Sequence, residues 1–327
     1  MEICPVNGAT FRFIETNGIR MRIAEIGEGP LVVLAHGWPE SWFSWRHQMT
    51  ALAEAGYRVA VPDMRGYGET DKPEDVDAYD ILRLARDMVG IVDALGESVA
   101  HLVGHDWGSM VAANTALLHP ERFASVTLMS VPFNARPSDR PTEILRSLFA
   151  DNFFYILYHN EPGGVAEAEY DADPASFLRR LYVSPDADRH DPAITDPARS
   201  AGGWIPRLGE PVSPPQWISA AELDYIVGMF ERSGFRGGLN YYRNFDRNWE
   251  LMAPHAEARI EIPTMFVAGS ADGVILGADE TSLRAGMSGT VADLREVVLI
   301  PGIGHWLQQE APEATSRALI DFFASLG

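Results

Sequence analysis

The chain has 327 residues, 46% of them hydrophobic and 22% charged, the proportions of an ordinary globular protein with length for one large domain or two modest ones. A formal net charge of −20 excludes a nucleic-acid partner, whose phosphates demand a surplus of Lys and Arg, and argues against an anionic membrane surface. The single cysteine, Cys4, allows no internal disulfide, and the first residues carry neither a basic stretch nor an apolar core of a secretory signal; with no run long enough to span a bilayer, the expectation is a soluble cytoplasmic protein.

In chain order, Thr10 to Ile26 alternates about Asn17-Gly18 and predicts a hairpin. Leu31-Val-Val-Leu-Ala35 is continuously apolar, the pattern of a parallel strand buried on both faces, and ends in His36-Gly37-Trp38-Pro39. A helix over Ser41 to Ala55, a strand over Arg58 to Pro62 and a helix over Tyr79 to Leu95 follow. Val99 to Val103 is another strand, then a tight turn, then a helix beginning near Ser109; Ser125 to Met129 is strand again. This alternation predicts a mostly parallel α/β sheet with helices on both faces. From about Asn134 to Ala258 the alternation stops and aromatic residues crowd helical patterns, with a long irregular loop over Asp186 to Pro215. Strands at Thr264 to Ala268 and Val297 to Ile300 and a helix over Glu313 to Leu326 resume it. The expected organisation is an α/β core formed by residues 1–133 and 259–327, interrupted by a helical cap at 134–258.

The turn between the fifth strand and its helix is Gly104-His105-Asp106-Trp107-Gly108. Its G-x-D-x-G spacing is that of a nucleophile elbow with a carboxylate where serine would stand. Glycine on either side lets strand and helix approach closely and allows the central residue a strained backbone at a helix N-terminus, where an anion is favoured. Later strands end in Gly269-Ser-Ala-Asp272-Gly273 and Gly304-His305-Trp306. Asp106, Asp272 and His305 thus occur in the nucleophile–acid–base order of an α/β-hydrolase triad. The backbone N–H groups of Trp38 and Trp107 are placed to form an oxyanion hole. His36, Trp38, Trp107 and Trp306 are expected to contact substrate.

The residue at the elbow narrows the chemistry. A carboxylate is a poor catalyst for ordinary esters, but it displaces a leaving group at saturated carbon and becomes an alkyl ester of Asp106. Water activated by His305, oriented by Asp272, then attacks that ester. An epoxide oxygen leaves as alkoxide and needs a proton, which a tyrosine supplies; a halide needs only N–H donors. Tyr155 and Tyr158 lie one helical turn apart, so both can face a site, whereas Tyr241 and Tyr242 cannot point the same way from a helix.

These motifs, together with Tyr155-Ile-Leu-Tyr-His-Asn-Glu-Pro-Gly163 and Gly234-Phe-Arg-Gly-Gly-Leu-Asn-Tyr-Tyr-Arg-Asn-Phe245, resemble the soluble epoxide hydrolases of the α/β-hydrolase fold over nearly the whole chain. The resemblance implies that Tyr155 and Tyr242 hold the epoxide oxygen, that no cofactor or metal is needed, and that the partners are a small hydrophobic epoxide and water, with a homodimer compatible. Two other readings stand beside it. One is a haloalkane or haloacid dehalogenase with the same triad, for which Trp107 offers a halide donor and against which Trp38 and the tyrosines count. The other is a non-catalytic hydrolase-fold binding protein.

Overall fold

The computed structural model describes residues 6–327, so Cys4 and the reading of the extreme N-terminus lie outside it. Eight strands form one sheet in the order β1-β2-β4-β3-β5-β6-β7-β8. They are β1 (Thr10–Thr16), β2 (Ile19–Ile26), β3 (Leu31–Ala35), β4 (Arg58–Pro62), β5 (Ala100–His105), β6 (Phe123–Met129), β7 (Thr264–Gly269) and β8 (Leu294–Ile300). Only β2 runs antiparallel to its neighbours β1 and β4; every other pairing is parallel. The β1–β2 turn is tight because Asn17 and Gly18 both take positive φ, 44° and 78°, the twist a two-residue hairpin requires. All five residues of β3 are buried, as are all six of β7, so the continuous apolar runs reflect helices on both faces rather than a solvated side.

The helices of the first half are α1 (Arg46–Glu54), α2 (Ile81–Ala94) and α3 (Trp107–Leu118). Between β6 and β7 come α4 (Pro141–Phe149), α5 (Tyr155–His159), α6 (Val165–Ala172), α7 (Pro174–Leu181), α8 (Ala220–Ser233), α9 (Arg236–Arg243) and α10 (Phe245–Leu251), and no strand of the sheet. The remaining helices are α11 (Glu280–Met287), α12 (Leu307–Glu310) and α13 (Pro312–Ala324). No helix of the described residues is long and apolar enough to cross a membrane.

Several boundaries differ from those read in the sequence, and three of them have a local reason. The segment after Ser41 opens as a 3₁₀ turn, Trp42–Trp45, with the Ser41 hydroxyl accepting from the Phe43 N–H, and becomes α-helical only at Arg46. Tyr79 ends a separate 3₁₀ turn, because Asp80 is extended and its carboxylate caps α2 by accepting from the Arg83 N–H at 3.0 Å. Finally, α3 begins at Trp107 rather than near Ser109: the Asp106 carbonyl already accepts from the N–H groups of Ser109 and Met110, and the Ser109 hydroxyl turns away to the Val131 carbonyl.

Candidate active site

Beyond the carboxyl ends of β3, β5, β7 and β8 lies a cavity of about 570 Å³ whose walls include Asp106, Asp272 and His305. Asp106 sits between β5 and α3 at φ 52°, ψ −117°, a backbone that a residue with a Cβ adopts only under constraint. The constraint is the closeness of strand and helix: a Cβ added at Gly104 would lie 2.0 Å from the Gly108 carbonyl oxygen, and one at Gly108 would lie 2.1 Å from that of Ala35. One carboxylate oxygen of Asp106, Oδ1, accepts from the Trp38 backbone N–H at 2.8 Å. The other, Oδ2, faces His305 Nε2 at 3.6 Å. On the far side of the imidazole, Nδ1 lies 3.2 and 3.1 Å from the two oxygens of Asp272. The three residues, separated by 33 and 166 positions in the chain, thus form one line, Asp272–His305–Asp106.

Electrostatics follow from that line. Burial alone would depress the His305 imidazolium, but Asp272 and Asp106 on its two sides hold its pKa well above the ordinary histidine value. Burial would likewise raise Asp272, yet the facing imidazole and the Val274 N–H, 2.9 Å from Oδ1, keep it below the usual carboxylate range.

The opposite wall comes from the helical segment. Tyr155, first residue of α5, and Tyr242, in α9, both line the cavity, their rings 6.1 Å apart and nearly perpendicular. Burial, reinforced by the Asp106 charge, raises both phenols above their ordinary value, so at neutral pH both carry their protons. Trp204 also lines this wall and stacks on Tyr155 at 4.8 Å. It comes from the loop read as irregular, where Glu169 fixes it by accepting from the Trp204 and Ile205 N–H groups at 2.9 and 3.0 Å.

The neighbouring tyrosines point elsewhere. Tyr158 donates to the Val165 carbonyl and Tyr241 to the Arg65 carbonyl, neither lining the cavity. Trp38 and Trp306 line it; Trp107 does not, its ring lying between Tyr242 (5.1 Å) and Phe245 (5.0 Å). His36, expected among the substrate contacts, is a correction. It is buried behind the cavity, with Nδ1 2.9 Å from the Gly37 carbonyl and Nε2 accepting from the Met64 N–H at 3.0 Å, so both ring nitrogens serve the backbone.

Glu40 and His105 have no role in the sequence reading, yet both belong to the site's framework. Glu40 is fully buried, and its Oε2 accepts from the Gly37 N–H at 2.8 Å and lies 2.7 Å from His105 Nδ1. Its Oε1 accepts from Gln308 Nε2 at 2.7 Å, and His105 Nε2 lies 2.8 Å from the His305 carbonyl. Burial would raise Glu40, but His105 opposite it holds the carboxyl below its ordinary value. The pair ties the loop bearing the Trp38 N–H to the loop bearing His305. A charge buried inside an otherwise apolar motif was the available signal.

A mostly parallel sheet with a carboxylate elbow and an acid–histidine pair on the loops beyond it defines an α/β-hydrolase, and a family model described as the alpha/beta hydrolase fold matches residues 30–162. The chain is 48% identical to epoxide hydrolase A of Mycobacterium tuberculosis, over 97% of this chain and 98% of that one. It is 38% identical to epoxide hydrolase 2 of Siraitia grosvenorii, over 94% and 96%. Among solved structures, epoxide hydrolase A from Mycobacterium thermoresistibile superposes with a TM-score of 0.87 at 48% identity, covering 97% of this chain and 98% of that one. An epoxide hydrolase from an endophytic Streptomyces gives 0.88 at 39%, covering 98% and 96%. The chain belongs to the epoxide hydrolases of the α/β-hydrolase family.

Proposed function

We propose that this chain converts hydrophobic epoxides to vicinal diols in two steps through an ester on Asp106, with residues 134–258 acting as the cap. The observation that carries the reading is a cavity with a carboxylate on its floor and two protonated phenols on the wall opposite. In the first step a carboxylate oxygen of Asp106 attacks one epoxide carbon and the C–O bond of the ring breaks. The departing oxygen takes a proton from Tyr155 or Tyr242, a role worth roughly 10²–10⁴ in rate for a positioned acid. In the second step water attacks the ester carbonyl carbon and gives its proton to His305. The oxyanion that forms on Asp106 is held by the Trp38 N–H, which already bonds Oδ1 at 2.8 Å, together with the Trp107 N–H at the start of α3. Collapse expels the diol, its oxygen protonated by His305, and leaves one water oxygen on Asp106 as a carboxylic acid, whose proton returns to the phenolate left by the first step.

The ester step also switches on the base. In the free enzyme the Asp106 carboxylate helps to raise the His305 pKa. Alkylation removes that negative charge, so the imidazole loses a stabilising neighbour when it must accept a proton. Dehalogenation is less well served. The indole nitrogen of Trp107, the donor next to the nucleophile, is directed at the Tyr242 hydroxyl and so is not free to receive a halide.

The test is His305→Gln incubated with styrene oxide and, separately, with a primary alkyl chloride. Expected is a mass increase equal to the whole epoxide on the peptide containing Asp106. An adduct formed only by the chloride, and lacking chlorine, would sink the epoxide reading.

A further inference from the structure

A second cavity, about 230 Å³, lies where the helical segment joins the sheet. Its walls come from α3 (Met110, Leu117), from the segment leaving β6 (Phe133) and from α10 with the turn returning toward β7 (Phe245, Met252). The lining is predominantly apolar, and it is separated from the catalytic cavity by two stacked rings: Phe245 lines this cavity and packs on Trp107, which in turn contacts Tyr242.

One guanidinium, that of Arg136, lines this apolar space. It lies 3.7 Å over the Trp249 ring and donates from Nε to the Trp249 carbonyl at 2.8 Å. Both Nη groups remain unpaired, and no carboxylate of the described residues forms an ion pair with it. His255 stands on the same wall and adds a second group able to donate. In a chain of net charge −20, a guanidinium left without an acid beside a nonpolar hollow is complementary to a group the chain itself does not provide. The ring beneath it keeps the guanidinium plane fixed, so a carboxylate meets a fork already oriented.

We propose that this cavity is a second ligand site, for a small carboxylate with one apolar tail, bound with its head on Arg136 and its tail against Phe133, Met110 and Phe245. It is distinct from the catalytic cavity, so this ligand and an epoxide are held at the same time. The size, below the ~300–1,000 Å³ of drug-sized sites, suits a single short tail or ring.

Calorimetric titration with decanoate tests this, with decan-1-ol as the neutral analogue. Arg136→Gln is expected to weaken decanoate at least tenfold while epoxide hydrolysis without decanoate stays unchanged. Ala258→Phe, at an exposed lining position, is expected to abolish binding by filling the space. Saturating epoxide is expected not to displace decanoate. Displacement by epoxide, binding unaltered in both variants, decan-1-ol binding as tightly as decanoate, or no binding at all would each overturn the proposal. Circular dichroism of both variants separates loss of the site from loss of the fold.

Discussion

At the scale of single residues, the chemistry turns on how two carboxylates share the proton of one imidazole. His305 lies between Asp272 at 3.1 Å and Asp106 at 3.6 Å, and its raised pKa depends on both. Asp106→Asn is therefore expected to lower the His305 pKa, read from imidazole nitrogen shifts during an NMR pH titration. The sign for turnover follows. A neutral imidazole is needed to hydrolyse the ester, and in the ester Asp106 is uncharged. The rate of ester breakdown in single turnovers should rise with pH around a midpoint below the free-enzyme His305 pKa. Coincident midpoints would mean that Asp106 does not control the base. In the proposed mechanism the phenols serve the other step: Tyr155→Phe with Tyr242→Phe should slow ester formation by roughly 10²–10⁴-fold. Ester pre-formed in that variant by a more reactive alkylating agent should still hydrolyse at near the parent rate.

At the scale of elements, the elbow is a contact between β5, α3 and β3 so close that glycine is the only fit. Gly108→Ala places a methyl 2.1 Å from the Ala35 carbonyl oxygen, and backbone on both sides leaves it nowhere to go. The expected outcome is a stability loss of at least about 2 kcal/mol, read as a lower urea midpoint, with activity falling further than the unfolded fraction explains because Asp106 shifts. This element was legible in the sequence because its information is local: two glycines at fixed spacing around an acid, after an apolar run. The order of Asp106, Asp272 and His305 was legible for the same reason, each being the residue class that follows a recognisable strand. What was illegible depends on packing between distant segments. His36 reads like a site histidine, yet the Met64 N–H, 28 residues away in sequence, claims its Nε2. The Glu40–His105 pair spans 65 positions, and no periodicity reports a buried contact between an acid and a histidine. Tyr158 and Tyr241 could be told from Tyr155 and Tyr242 only by which backbone carbonyls, Val165 and Arg65, came within reach.

At the scale of the whole molecule, the cavity exists only while two separately built parts stay in register: the sheet and its loops carry Asp106, Asp272 and His305, and the segment inserted between β6 and β7 carries Tyr155 and Tyr242 on helices and Trp204 on a loop. A few buried polar ties hold that register. Tyr182 donates to the Pro39 carbonyl at 2.5 Å, Tyr241 to the Arg65 carbonyl at 2.9 Å, and Asn248 accepts from the Ile81 N–H at 2.8 Å. One is ionic: Arg46, at the start of α1, donates from Nε to Glu222 in α8 at 2.7 Å and from Nη1 to Gln309 in α12, also at 2.7 Å. Its side chain is 5% exposed and that of Glu222 is 30% exposed, so the pair is partly screened and its loss is milder than that of a fully buried one. Arg46→Met keeps the volume of the stem but leaves the buried Gln309 carbonyl oxygen and the half-buried Glu222 without their donor. A loss of about 2–4 kcal/mol is expected. Because α8 belongs to the inserted helices and α1 packs on the sheet, the same variant should loosen the wall bearing Tyr242 before the sheet itself melts. Denaturation followed by tryptophan fluorescence and by far-ultraviolet circular dichroism should then give two separated midpoints, where the parent gives one. Coincident midpoints in the variant would show that Arg46 stabilises the fold as a whole without holding its two parts in register.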